Sequence, residues 1–186
     1  MMIAQAAFQA VYEANPEMPA DEVWRRVNRL LHAHANARLC GKHYVTGHVM
    51  IHRGAGAFDC AGAHLWPLVV NPVTKTVRRV EVRGPWLGVV PELPRVPVSR
   101  VELAPGEVLC LYSDGLLEAR NAMGEMYEID RLSRRVTELI ATNSSLEDCA
   151  SGLSARISVF VMISAGTGCV ATACARRFRS RGTASL

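Results

Sequence analysis

The stretch Val101-Glu-Leu-Ala-Pro-Gly-Glu-Val-Leu-Cys-Leu-Tyr-Ser-Asp-Gly-Leu-Leu-Glu-Ala-Arg-Asn-Ala-Met-Gly-Glu-Met-Tyr127 decides how this chain is read. Pro105-Gly106 is a turn signal, Val108 to Tyr112 is an apolar run of strand formers, and Gly115 breaks the strand. Asp114 therefore stands where a buried strand runs into a turn. Asp-Gly after an apolar run is on its own an ordinary turn sequence. A carboxylate delivered from a strand end is equally the way a protein presents a metal ligand, and the flanking residues decide between the two.

Working outward, residues 44 to 113 read as strands: Tyr44 to Ile51, Ala57 to Ala61, Leu65 to Val70, Thr76 to Val82, Val96 to Leu103 and Val108 to Tyr112, punctuated by Asn71-Pro72 and Gly84-Pro85. Helices flank them. Met1 to Ala14 is alanine-rich and Pro16 to Pro19 makes a break. A second helix runs from Asp21 to about Ala35, with acids at its start and Val23, Val27, Leu30, Leu31 and His34 on one face. A third, about Tyr127 to Ala141, spaces Ile129, Leu132, Val136, Leu139 and Ile140 for one face. This order predicts an α+β fold, with Trp86, Leu87, Leu109, Leu111, Ile129, Leu132 and Val136 in its core.

A chain of 186 residues with 49% hydrophobic content can bury a sizeable core. Its net charge of +4 comes entirely from Arg176, Arg177, Arg179 and Arg181. The remainder is balanced, which gives no electrostatic case for a nucleic-acid surface. Cysteines 40, 60, 110, 149, 169 and 174 form no Cys-x-x-Cys pair, and no charged segment followed by an apolar run opens the chain. These features predict reduced thiols and a cytoplasmic location.

The segment around Asp114 resembles the aspartate-glycine motif of the SpoIIE/RsbU branch of the PPM-type, metal-dependent protein serine/threonine phosphatases. Leu103, Pro105-Gly106-Glu107, Tyr112-Ser113-Asp114-Gly115, Glu118-Ala119-Arg120-Asn121 and Gly124-Glu125 match that pattern, in which the Glu-Ala-Arg-Asn stretch is helical. Upstream, His43-Tyr44-Val45-Thr46 resembles a family strand, Ala61-Gly62-Ala63-His64 its Ala-Gly-His turn, and Gly84-Pro85-Trp86-Leu87-Gly88 its Gly-x-x-Leu-Gly loop. The resemblance covers about residues 1 to 140. It implies a β-sandwich flanked by helices and the hydrolysis of phosphoserine or phosphothreonine by water activated between two Mn²⁺ or Mg²⁺ ions. It makes Asp114 a metal ligand, with Ser113 orienting the turn through local hydrogen bonds and Gly115 letting the backbone turn away from the ion. The implied substrate is a phosphorylated regulator of the anti-sigma-factor antagonist type, in a chain that pairs as a homodimer or follows an upstream sensor domain.

Departures from the pattern are as specific. The family takes metal carboxylates from three places, and only the one at Asp114 is present in this chain. The Asp-x-x-Gly-x-Gly strand that precedes the first helix and the Asp-Asp pair of the last strand have no counterpart, and Asp148 is the last aspartate. The reading is therefore a partial phosphatase domain over residues 1–154, inactive as it stands, with an atypical tail over 155–186. A non-catalytic partner-binding module is the alternative. Glu128 stands where the family has glycine, at the entry to the third helix.

Other features carry less. His48 and His52 have the spacing of helical zinc ligands but lie in a strand pattern without a third ligand. Gly166-Thr-Gly168 imitates a dinucleotide loop but too little chain follows it. The uncharged run 157–175 has the length of a tail anchor, but Ser, Thr and Gly weaken it. The small residues, cysteines and arginines of the 155–186 tail also suit an out-of-frame translation.

Overall fold

The computed structural model describes residues 2–38, 44–142, 160–163 and 170–172. In chain order its elements are α1 (Met2–Ala14), α2 (Ala20–Arg38), β1 (Gly47–His52), β2 (Ala57–Ala63), β3 (Leu68–Asn71), β4 (Thr76–Arg79), β5 (Ser99–Glu102), β6 (Val108–Leu111), α3 (Asp114–Leu117), α4 (Ile129–Thr142), β7 (Phe160–Ile163) and β8 (Val170–Thr172). The α+β class is as expected. The chain divides into two compact units, Met1–Trp66 with Val80–Glu102, and Pro67–Arg79 with Leu103–Leu186.

The first unit lays α2 on an antiparallel sheet of order β1-β2-β5, and α1 packs on α2. Asp21 and Glu22 sit in the first turn of α2, where they complement the helix dipole, and each pairs with an arginine one turn on. The buried stripe is Val23, Trp24, Val27, Asn28 and Leu31. Leu30, expected on that face, is half exposed. It lies one helical step of about 100° from Leu31, off the stripe. Trp24 and Asn28 take the inward places instead.

Close backbone approach explains the glycines of this unit. Gly62 lies within β2, rather than in a turn, at φ +126°, and a Cβ there would stand 2.4 Å from the Gly47 carbonyl oxygen and 2.8 Å from the Trp24 ring. The Trp24 ring can come this close to the sheet only because no side chain rises at that point. Its indole N–H donates to the Pro85 carbonyl at 3.0 Å. Val45 and Leu87 exchange backbone hydrogen bonds as an isolated bridge, so Leu87 turns inward and is fully buried. Its neighbour Trp86, expected in the core, is consequently turned outward, half exposed and stacked on Tyr44 at 4.9 Å.

At the far end of this sheet, Asp59 accepts hydrogen bonds from Arg53 Nε at 2.7 Å and Arg100 at 3.0 Å. The Arg53 hydrogen bond, seconded by Arg100, holds its carboxyl below the usual carboxylate range. Burial, with a smaller contribution from the neighbouring His64 ring, pushes His48 down to about 4.

The second unit is built on an antiparallel sheet of order β4-β3-β6-β7-β8, with α4 packed on β3 and β4. Strands β7 and β8 fall inside the 157–175 run, where the sequence pattern marks no strand. The rest of that run lies outside the described residues, and no helix among those described is long and apolar enough to cross a membrane. Leu68, Leu109, Cys110 and Leu132 are fully buried, with Val136 and Leu139 following along α4. Leu111 and Ile129, also expected in the core, are only half-buried because each ends its element at the sheet rim or the helix entry.

Glu128 takes φ +57°, the left-handed region that L side chains enter at a cost. It joins the two sides of α4's entry: its N–H donates to the Leu117 carbonyl and its own carbonyl accepts from Leu132. This is the position at which the sequence lacks the family's glycine.

Packing of this kind sets three expected outcomes. Leu109→Ala should cost about 2–5 kcal/mol in denaturant unfolding, since the side chain is wholly enclosed. Glu128→Gly should raise stability by up to about 1 kcal/mol, the relief of left-handed strain less the greater chain entropy of glycine. A lower thermal midpoint for that variant would contradict the strain. Acid should act in two stages. Because His48 is neutral in the fold and charges when unfolded, its contribution is lost as pH falls from about 6.5 to about 4. The Asp59 contribution is present above the unfolded carboxylate range and disappears only as pH falls below it, through the depressed folded value. Thermal melts of wild type and His48→Phe between neutral pH and pH ~5 check this, and the variant's midpoint should fall less.

Candidate metal centre

Asp114 is reached in three steps from the sheet. Strand β6 is anchored by Leu109 and Cys110, Tyr112 is still buried, and Ser113 keeps extended geometry at φ −110°, ψ 163° before the chain bends into the single turn of α3. The bend is closed by the Ser113 carbonyl, which accepts from the Leu116 N–H at 3.1 Å, and by the Asp114 carbonyl, which accepts from Glu118 at 2.8 Å. Buried Leu116 pins the turn from beneath, leaving the Asp114 carboxylate exposed at its top. The Gly115 N–H donates to Asp114 Oδ1 at 2.8 Å and fixes its direction, while the second oxygen accepts no hydrogen bond from the described residues.

The two flanking residues act differently from expectation. The Ser113 hydroxyl makes no cap hydrogen bond; its backbone carbonyl closes the turn. Gly115 has no positive φ, and a Cβ there would meet only Ser113 Oγ at 3.8 Å. Glycine is therefore not required by the backbone, and what it provides is open space beside the carboxylate.

The Glu-Ala-Arg-Asn stretch is not helical. α3 stops at Leu117, and residues 118–128 form a tight hairpin with an Arg120–Met126 bridge. Asn121 organises its tip, with Oδ1 accepting from the N–H groups of Met123 and Glu125 and Nδ2 donating to the Glu125 carboxylate at 2.7 Å. Arg120 donates to the Gly124 carbonyl. The returning arm ties to Ala119 and Leu117 through the N–H groups of Tyr127 and Glu128, bracing the Asp114 turn from its C-terminal side. Sequence reasoning assigned no role to Asn121. An Asn two residues before Met-Gly, with a glutamate one position on, is an Asx-turn signature that could have revealed it.

A two-ion centre requires several carboxylates converging on one point. Among the described residues no three His, Cys, Asp or Glu side chains come together in that way. Glu125 is engaged by Asn121. His48 and His52 lie along one strand, their Nε2 atoms buried without a hydrogen-bond partner, and no third ligand joins them among the described residues. Asp114 by itself does not fit the group that the sequence motif implies.

The fold is shared with known proteins. The SiaA-PP2C domain of Pseudomonas aeruginosa superposes with a TM-score of 0.66 at 16% identity, over 86% of this chain and 66% of that one. The RsbU and RsbW domains of Rv1364c from Mycobacterium tuberculosis give 0.62 at 20% identity, over 81% of this chain and 40% of that one. PppA, a key regulatory component of T6SS in Pseudomonas aeruginosa, gives 0.57 at 13% identity, over 81% and 70%. At these identities the likeness establishes the fold. The chain spans about two thirds of the SiaA-PP2C chain and less than half of the Rv1364c chain. No curated protein sequence matches it significantly. A family model described as Stage II sporulation protein E (SpoIIE) matches residues 1–162, which takes in both helices of the first unit, the Asp-Gly turn and most of strand β7. The chain belongs to the SpoIIE family.

Proposed function

We propose that this chain is the scaffold portion of a protein serine/threonine phosphatase domain, in which Asp114 supplies one carboxylate of a Mn²⁺ or Mg²⁺ site and the chain as it stands is catalytically silent. The observation that carries this reading is the exposed Asp114 carboxylate, held on a pinned turn at the end of a buried strand. Its silence is supported by the donor set, since one carboxylate among the described residues cannot fix two ions.

The substrate proposed is a phosphoserine or phosphothreonine on a regulatory protein of the anti-sigma-factor antagonist type. Structural likeness to an RsbU–RsbW protein and to a regulatory component of a secretion system supports a regulator as partner. The division at residue 154 and a cytoplasmic location belong to the same proposal. A non-catalytic partner-binding module is the second reading, favoured by the same missing ligands.

Hydrolysis of a phosphoserine peptide separates the two. The chain should show no Mn²⁺ stimulation, and Asp114→Asn should change nothing. A chimera supplying an upstream Asp-x-x-Gly-x-Gly strand and a final Asp-Asp strand should gain Mn²⁺-stimulated turnover that Asp114→Asn abolishes. Activity in the unmodified chain, lost on Asp114→Asn, would refute the silent reading. A folded chimera without activity would favour the binding module.

A further inference from the structure

Within the second unit, α4 packs on β4 and leaves an open groove of about 330 Å³ along the contact. The groove follows α4 from Asp130 to Glu138, about 12 Å of helix, and Val77 of β4 gives it a half-buried apolar floor. Its strand side is held in place. Asn71 Oδ1 accepts from the N–H groups of Val73 and Thr74, which fastens the β3–β4 turn that carries Lys75, and Arg79 at the end of β4 pairs with Asp130 at 3.0 Å. None of the groove's residues belongs to the Asp114 turn or to the Asn121 hairpin.

The polar groups that line this groove are committed, with two exceptions. The Ser133 hydroxyl donates to the Ile129 carbonyl and the Thr137 hydroxyl to the Ser133 carbonyl, so neither offers a donor to an occupant. Asp130 is neutralised by Arg79 and Glu138 by Arg135 at 3.3 Å. Arg134 stands four residues from each of these acids, yet both turn to another arginine. Among the described residues Lys75 and Arg134 make no side-chain hydrogen bond or ion pair. The groove therefore presents one ammonium and one guanidinium whose donors are unspent, beside acids whose charge is already matched.

We infer that the α4–β4 groove is a docking site for a short acidic segment of a partner protein, whose carboxylates engage Lys75 and Arg134. Charge complementarity carries the assignment: the two unspent cations call for an anion, and the guanidinium fork matches a carboxylate. Length fits a peptide, since about four extended residues cover the same 12 Å. Val77 accommodates an apolar side chain set among the acids. Both cations are exposed, so each contact is weak and screened by salt, and the site serves as a reversible anchor. It goes beyond the metal centre proposed at Asp114 and does not depend on it.

The probe is the unphosphorylated peptide Glu-Glu-Val-Glu-Glu carrying an uncharged dye, with the Gln-Gln-Val-Gln-Gln peptide as its neutral control, followed by fluorescence anisotropy at low salt. The full chain should bind the acidic peptide and not the neutral one. Lys75→Gln/Arg134→Gln should weaken binding about tenfold, the loss of two exposed ion pairs of ordinary strength. Arg83→Gln/Arg95→Gln removes the same charge from exposed positions of the first unit and should change binding by less than about twofold, because distant charges are screened. Glutamine at these four exposed positions leaves the core untouched, and unchanged far-ultraviolet spectra check that both double variants fold. Equal binding of the two peptides, or equal losses in the two double variants, would overturn the assignment. Inorganic phosphate that displaces the peptide where chloride of the same ionic strength does not would make the groove a small-anion site and overturn it as well. Since the peptide carries no phosphate, none of these outcomes bears on activity at Asp114.

Discussion

The amide of Asn28 is the constraint on which the first unit depends. It is fully buried on α2, and its Oδ1 accepts from the Gly88 N–H at 2.8 Å while Nδ2 donates to the carbonyls of Val90 and Pro91. A loop with little regular structure is thereby fastened to a helix by polar groups that would otherwise be buried without partners, each at a cost of about 1–3 kcal/mol. The neighbouring Trp24 indole repeats the arrangement at Pro85. Together they fix the 84–91 loop, and through it the Val45–Leu87 bridge that sets the inward and outward sides of the chain as it enters β1.

In the second unit the ordering runs outward from the sheet. Leu109 and Cys110 hold β6, Leu116 holds the turn after it, and the Asn121 hairpin returns along the other side to brace Leu117 and Ala119. Each layer limits the motion of Asp114, and the hydrogen bond that its carboxylate accepts comes from the Gly115 N–H rather than from a cationic side chain. Such a carboxylate keeps lone pairs available for an outside ligand. One well-placed oxygen donor is a start for a hard cation, but several are needed to hold it.

Much of this was legible beforehand because it rests on local patterns. The apolar run at 108–112, the acids opening α2 and the spacing of Leu132, Val136 and Leu139 report burial directly, since a period of two or 3.6 residues leaves the core one face to use. The glycine missing at 128 was legible for a related reason: a left-handed residue is dictated by its own backbone. The motif around Asp114 gave the family and the position of the carboxylate. It misread the following four residues, whose helix-forming composition is overridden by the hairpin's own hydrogen bonds to Ala119 and Leu117.

By itself, then, the sequence determined the α+β class, the boundaries of its main helices within a few residues, and the strand-end location of Asp114. Tertiary structure decided what depends on partners far along the chain. Trp86 faces solvent because Leu87 is claimed by Val45, forty-two positions away. Gly62 is a passage for the Trp24 ring rather than a turn, and Asn28 clamps the loop at Gly88, Val90 and Pro91. The physical reason is the range of the interactions. Periodicity and turn chemistry act within one element, whereas close approach, buried amide pairing and sheet edges exist only once separate segments have met.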